Sequence, residues 1–232
     1  MTASKMTVGL LAVICVAIAQ APPSSGPAPG SSPRRTTHKP FHLPNGKVAM
    51  ELDPSNEVGN LSQLVAASQL IVDGTVFSVL PAVSTEPDPD IPSAETRSVI
   101  SVDSVLGGTP PGTDTIQLTQ IGGKAGKWDI SVPDDPPVRQ GERYVLFLMA
   151  DARRDTTNTA GVPRYCIIGV WSGKAKIDGG KVQFPPRANK RLHEHDNQDV
   201  NSFLADVKNE INHTVPMDPN LPIHPGGPVV PH

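Results

Sequence analysis

Disulfide bonding has almost no material here: the 232-residue chain holds two cysteines, Cys15 and Cys166. Cys15 lies in the N-terminal apolar stretch, so a chain cut after Ala21 keeps a single thiol and closes no internal disulfide. A cysteine-stapled fold is excluded. Cys166, within Tyr165-Cys166-Ile167-Ile168, reads as a buried, inert thiol. Aromatic residues make up 4 % of the chain, and the formal net charge is −3. No basic stripe interleaved with aromatics is present, which argues against a nucleic-acid partner. The apolar run from Val8 to Ala19 is too short to span a bilayer comfortably. Chemical motifs fail in the same way. The Gly122–Lys127 stretch would need a glycine at Ile121 and a hydroxyl at Trp128 to be a phosphate loop. Gly169-Val170-Trp171-Ser172-Gly173 has Val170 where a nucleophile elbow needs glycine. Glu86, Asp88 and Asp90 alternate with prolines and lack the glycine turn of a calcium loop.

What is present begins with a secretory pattern. Lys5, the apolar run and Ala19-Gln20-Ala21 are the three parts of a signal, so residues 1–21 read as a signal peptide cut after Ala21, with Ala19 and Ala21 as the processing residues. A retained anchor is the alternative. Ile14 stands where a lipidated cysteine needs a small residue before it, which disfavours lipidation of Cys15. The expected location is secreted, periplasmic or cell-envelope, with no stable membrane span after cleavage. More than half of the 26 prolines fall in residues 22–54 and 216–231. Residues 22–55 read as a disordered Pro/Ser-rich linker and 214–232 as a disordered Pro-rich tail. Residues 56–213 are left as one domain, a usual size.

Within that domain the organising stretch is residues 141–150. From Tyr144 to Ala150 only the tyrosine hydroxyl is polar, and the run is too short for a buried helix, so it predicts a central strand buried on both faces. Asn60-Leu61-Ser62-Gln63 predicts a capped short helix ending near Ser68. Residues 70–80 predict a strand with Leu70, Val72, Val76 and Leu80 inward, Asp73 and Thr75 outward, and a bulge or close approach at Gly74. Further strands are expected over 97–106, 115–119 and 164–171. Residues 174–184 read as a hairpin turning at Asp178-Gly179-Gly180. Val200, Phe203, Leu204, Val207 and Ile211 form one helical stripe, capped by Asp196 or Asn197. The fold class is mainly β: a small five- to six-stranded OB-like barrel or sandwich, with a short N-terminal helix and a C-terminal amphipathic helix.

Candidate site residues are few. His193-Glu194-His195-Asp196 is the one local cluster of metal-competent side chains, but a zinc-protease spacing is absent and a solvated loop is the rival reading. Trp128 and Trp171 are candidates for an exposed binding patch, with core packing as the alternative for each. The stiff loops at 81–92 and 133–137 are candidates for a protease-inhibitory loop.

Four blocks occur in order: Leu70-Ile71-Val72-Asp73-Gly74-Thr75-Val76, Val102-Asp103-Ser104-Val105-Leu106-Gly107-Gly108, Gly141-Glu142-Arg143-Tyr144-Val145-Leu146-Phe147-Leu148 and Tyr165-Cys166-Ile167-Ile168-Gly169. Over about residues 61–184 they resemble a group of secreted bacterial β-rich domains. The resemblance implies a small OB-like barrel, similar in outline to the netrin-like domain of tissue metalloprotease inhibitors. Its motifs are structural and transfer no catalytic residue, and the disulfides and N-terminal cysteine of those inhibitors are missing. The sequence therefore predicts a secreted or envelope binding or structural module rather than an enzyme. No cofactor is expected, and the partner is expected to be an extracellular or envelope protein or polysaccharide. The alternatives are a protease-inhibitor-like module and a metal-dependent hydrolase using His193 and His195.

Overall fold

Tyr144-Val145-Leu146-Phe147-Leu148 decides the architecture. Successive strand side chains point to opposite faces, and all five here are buried. The computed structural model describes residues 41–42, 47–49, 58–133, 135–151 and 161–216. The signal segment, with Ala19 and Ala21, lies outside the described residues, as do residues 217–232. Two short strands come first, β1 (Phe41–His42) and β2 (Lys47–Ala49). Helix α1 (Leu61–Ala67) leads into three longer strands, β3 (Leu70–Val79), β4 (Glu95–Gly108) and β5 (Thr115–Ile121). A small hairpin follows, β6 (Gly123–Ala125) and β7 (Trp128–Ser131). Then come β8 (Arg143–Ala150), β9 (Arg164–Ile167), β10 (Lys174–Asp178) and β11 (Lys181–Gln183). A 3-10 turn (His193–His195) and helix α2 (Val200–His213) complete the described chain.

Five strands close a barrel in the order β8-β3-β4-β5-β9 and back to β8. Every contact around it is antiparallel except that between β5 and β9. Tyr144, Leu146 and Leu148 point inward, where they meet Leu70, Val72, Ile100, Ile116 and Leu118. Val145 and Phe147 point outward into a second core under α1, α2 and the β10–β11 hairpin. Phe203 and Val207 of α2 are fully buried there, each worth about 1.5–3 kcal/mol of apolar burial. The third, smaller core, around Val48, Ala94, Ala125 and Ile130, belongs to the side sheet β1-β2-β7-β6.

Along one edge of β8 the partner changes. Residues 148–150 pair with β9, and residues 143–146 pair with β10. Between these ladders, residues 168–173 all stand opposite Phe147, which donates to Gly173 O and accepts from Ile168 N. The strand expected over 164–171 thus stops at Ile167. Gly169 and Val170 adopt left-handed φ values of 62° and 61°, a strained conformation for a β-branched residue. Trp171 and Ser172 are buried within this excursion.

Other expectations shift for physical reasons. The span read as a linker contributes β1 and β2, and Val48 is fully buried; two- and three-residue strands are too short to leave a period. Asp73 is buried rather than outward, because Arg143 Nε and Nη2 bind its two carboxylate oxygens at 2.9 and 2.6 Å. Helix α2 is capped by Asp199, whose carboxylate accepts from Asn201 N. Asp196 instead accepts from Phe184 N at 2.8 Å. Gln63 reaches back to Gly59 N at 2.8 Å while Asn60 caps α1. The bulge at Gly74 is present: the register shifts between Asp73 and Gly74, and a Cβ there would lie 2.7 Å from Ser101 O. The hairpin turns at Gly179 and Gly180, both with positive φ. The outer edge of β11 is covered by residues 197–199, through Asn197 N to Val182 O, Val182 N to Gln198 O and the Lys181–Asp199 bridge.

A Cβ on Gly173 would lie 2.7 Å from Ile168 O and 2.8 Å from Phe147 O. Gly173→Ala is expected to cost about 1–3 kcal/mol, read as a lower denaturation midpoint. A midpoint equal to that of the wild type would mean the excursion spreads freely.

Candidate functional site

The strand register builds a polar row where the sheet runs past the barrel. Tyr144 on β8 stands opposite Lys176 on β10, which stands opposite Gln183 on β11. Lys174 shares the face of Lys176, since alternate residues of a strand do so. Ala175 and Ile177 point the other way, into the helix-covered core. These residues line a cleft of about 300 Å³. Pro136 and Pro137 enter it from the approach to β8, and Pro185 and Pro186 from the exit of β11. The turn over residues 139–142 is pinned to β3 by Val76 N to Glu142 O and Gly141 N to Val76 O. Gly141 has φ +83°, which suits glycine at that corner.

Glu142 organises the cleft. Its Oε2 accepts from Tyr144 Oη at 2.5 Å and Arg139 N at 2.9 Å, and its Oε1 accepts from Lys176 Nζ at 2.8 Å. Burial on its own would raise the Glu142 carboxyl. The bonds from Lys176, Tyr144 and the Arg139 backbone outweigh it and hold the group below the ordinary glutamate range. Burial, then the bond to Glu142, pushes the Tyr144 phenol far above the usual tyrosine value. Behind this layer Lys174 Nζ pairs with Asp135 and donates to Pro136 O at 2.8 Å, both charged side chains being 5 % exposed. Burial pushes the Asp135 carboxyl up, and Lys174 offsets only part of that. The cleft thus presents hydrogen-bond donors held in place, with its carboxylate already occupied.

The residues singled out from sequence lie elsewhere. Trp171 is buried at 3 % exposure, with the Arg187 guanidinium 5.7 Å from its ring, so it forms no surface patch. Trp128 is half-buried. Its Nε1 donates to Pro89 O at 3.0 Å, and Lys127 Nζ sits 5.0 Å from its ring. It braces the proline-rich loop. His193 and His195 occupy a 3-10 turn, and they engage different partners. His193 Nδ1 bonds Asp196 Oδ2 at 2.7 Å, and His195 Nδ1 bonds Gln198 Oε1 at 2.8 Å. Among the described residues no group of three or more His, Cys, Asp or Glu side chains stands close enough to hold a metal ion. Cys166 is half-buried, with Sγ 3.7 Å from Met149 O. None of the described helices is long and apolar enough to cross a membrane. The sequence carried one signal of the cleft: lysines 174 and 176 alternating with apolar residues mark a polar face.

The depressed carboxyl of Glu142 makes its contribution depend on pH. That stability is complete above the ordinary glutamate value, about 4.3, and is lost as pH falls through the lower folded value. Glu142→Gln is therefore expected to melt below the wild type at neutral pH, with the gap closing in acid. A pH-independent gap in melting temperature would contradict this. No protein-family model matches this chain, and no curated protein matches it significantly.

Proposed function

We propose that this chain is a secreted or envelope-associated binding module built on an OB-type barrel, with the cleft beside β8 as its ligand seat. The barrel strands, counted one to five along the chain, pair in the cyclic order 1-2-3-5-4 with a parallel contact between third and fifth. That order supports the OB-type reading, since such barrels are five-stranded Greek keys that bind through a face and loops. The blocks that resemble secreted bacterial β-rich domains fall on β3, β4, β8 and the β9 region. The signal-like residues 1–21 support export.

One observation carries the binding reading: the spent carboxylate. Glu142 already accepts three hydrogen bonds, and its carboxyl is held below the ordinary range. It is a poor base, and Tyr144 holds its proton. A carboxylate already bonded to three donors is suited to recognition rather than acid–base chemistry. Gln183 is exposed, so Gln183→Trp fills the cleft without touching the core. Binding of the full chain to immobilised envelope polysaccharides and secreted proteins is expected to be lost in that variant at unchanged melting temperature. Undiminished binding would move the ligand seat off this cleft.

A protease-inhibitor reading has one observation behind it, the bracing of the loop between β3 and β4. Ser93 Oγ accepts from Thr85 N and Glu86 N, Val83 and Glu95 form a bridge at its base, and Trp128 and Lys127 hold Pro89 and Asp90. Rigid exposed loops bind at low entropic cost. On this reading the full chain inhibits a member of a protease panel and loses that inhibition when residues 86–91 become glycine and serine. Inhibition that survives the replacement would leave the loop no role.

A further inference from the structure

The polar groups of the cleft divide into those already satisfied and those still open. Lys174 is committed to Asp135 and Pro136 O, and Glu142 to three donors. Lys176 Nζ donates one hydrogen bond, to Glu142, and its side chain is 37 % exposed. An ammonium carries three donors, so it has donors to spare. Arg139 is exposed at the mouth, and its guanidinium has no partner among the described residues. The Gln183 side-chain amide likewise has none among the described residues. Three cations, Arg139, Lys174 and Lys176, face two carboxylates, Asp135 and Glu142. The open positions therefore favour an anionic group accompanied by neutral hydroxyls.

The walls narrow the choice further. Pro136, Pro137, Pro185 and Pro186 have no backbone N–H. A peptide laid along them as an added strand would find no donors for its carbonyls, which removes the main-chain ladder on which strand addition depends. Pyrrolidine rings do offer rigid C–H surface, against which the C–H face of a sugar ring can pack. A volume of about 300 Å³ is at the small end of ligand sites, suited to one or two sugar rings.

Resting on the reading of this cleft as the ligand seat, we infer that it takes an acidic sugar of the hexuronate type. The carboxylate meets Arg139 and Lys176, and ring hydroxyls meet Gln183. Arginine suits this role because its planar donor pairs match a carboxylate.

The test is an NMR titration of the ¹⁵N-labelled full chain with three probes: trigalacturonate, neutral galactotriose, and a short peptide with a free C-terminal carboxylate. Trigalacturonate is expected to shift the amides of Tyr144, Lys176 and Gln183. Its affinity should fall with rising salt and by about tenfold or more in Arg139→Ala, with partial recovery in Arg139→Lys. Equal binding of galactotriose, or no change in Arg139→Ala, would overturn the acidic-sugar assignment and leave the cleft a ligand seat. Shifts with the peptide alone would replace the sugar by a peptide terminus. No shift with any probe would overturn the assignment, and the Gln183→Trp capture experiment then shows separately whether the binding reading stands.

Discussion

Two cores share one strand, and that sharing is the constraint on which the rest of the fold depends. Leu146 and Leu148 belong to the barrel interior, while Val145 and Phe147 belong to the core under the helices. A slip of one residue would exchange the two sets and send Tyr144 to the wrong side. The register of β8 therefore sets which side chains of β3 and β10 meet it. Apolar burial drives the arrangement, but the alternation of one strand determines how that burial is divided.

The cleft follows from the way β8 shares its edge. The excursion at residues 168–173 moves the chain from the barrel ladder to the β10 ladder, and β10 then extends the sheet beyond the barrel wall. A strand that leaves the barrel has one face without barrel contents against it, so lysine occupies positions 174 and 176. The approach to β8 lies over this face and supplies Asp135, Pro136, Arg139 and Glu142. The ionic layer is consequently part of the fold as well as of the site. Removing one member of the Lys174–Asp135 pair would leave an uncompensated charge in a place with little water.

Much of this was legible in the residues. The stripe from Val200 to Ile211, the turn at Gly179-Gly180, the helix cap at Asn60 and the doubly buried strand each rest on a local pattern. Patterns of this kind survive in the fold because they coincide with the tertiary packing. Strands β6 and β7 were not legible, being three and four residues long. Asp73, Glu95, Arg97 and Lys174 are polar residues that the chain buries, and a binary pattern assigns such residues to solvent. The partners of Asp73 and Lys174, Arg143 and Asp135, lie far away in sequence. The cleft was hidden for the same reason: Glu142, Tyr144, Lys176 and Gln183 converge only once β8, β10 and β11 are in register. His193 and His195 drew attention by their chemistry, yet their nearest acceptors are local side chains that hold a turn.

The backbone of residues 197–199 lies along β11, occupying both the N–H and the C=O of Val182. An exposed strand edge is a template on which another chain can build, and proteins commonly block such edges. Here the block comes from the short segment leading into α2, at the cost of a left-handed φ of 63° at Asn197. Barrel closure removes the corresponding edge at β9. The seven-stranded sheet therefore offers neither end as a seed for intermolecular β-structure, a protection against aggregation achieved without a disulfide.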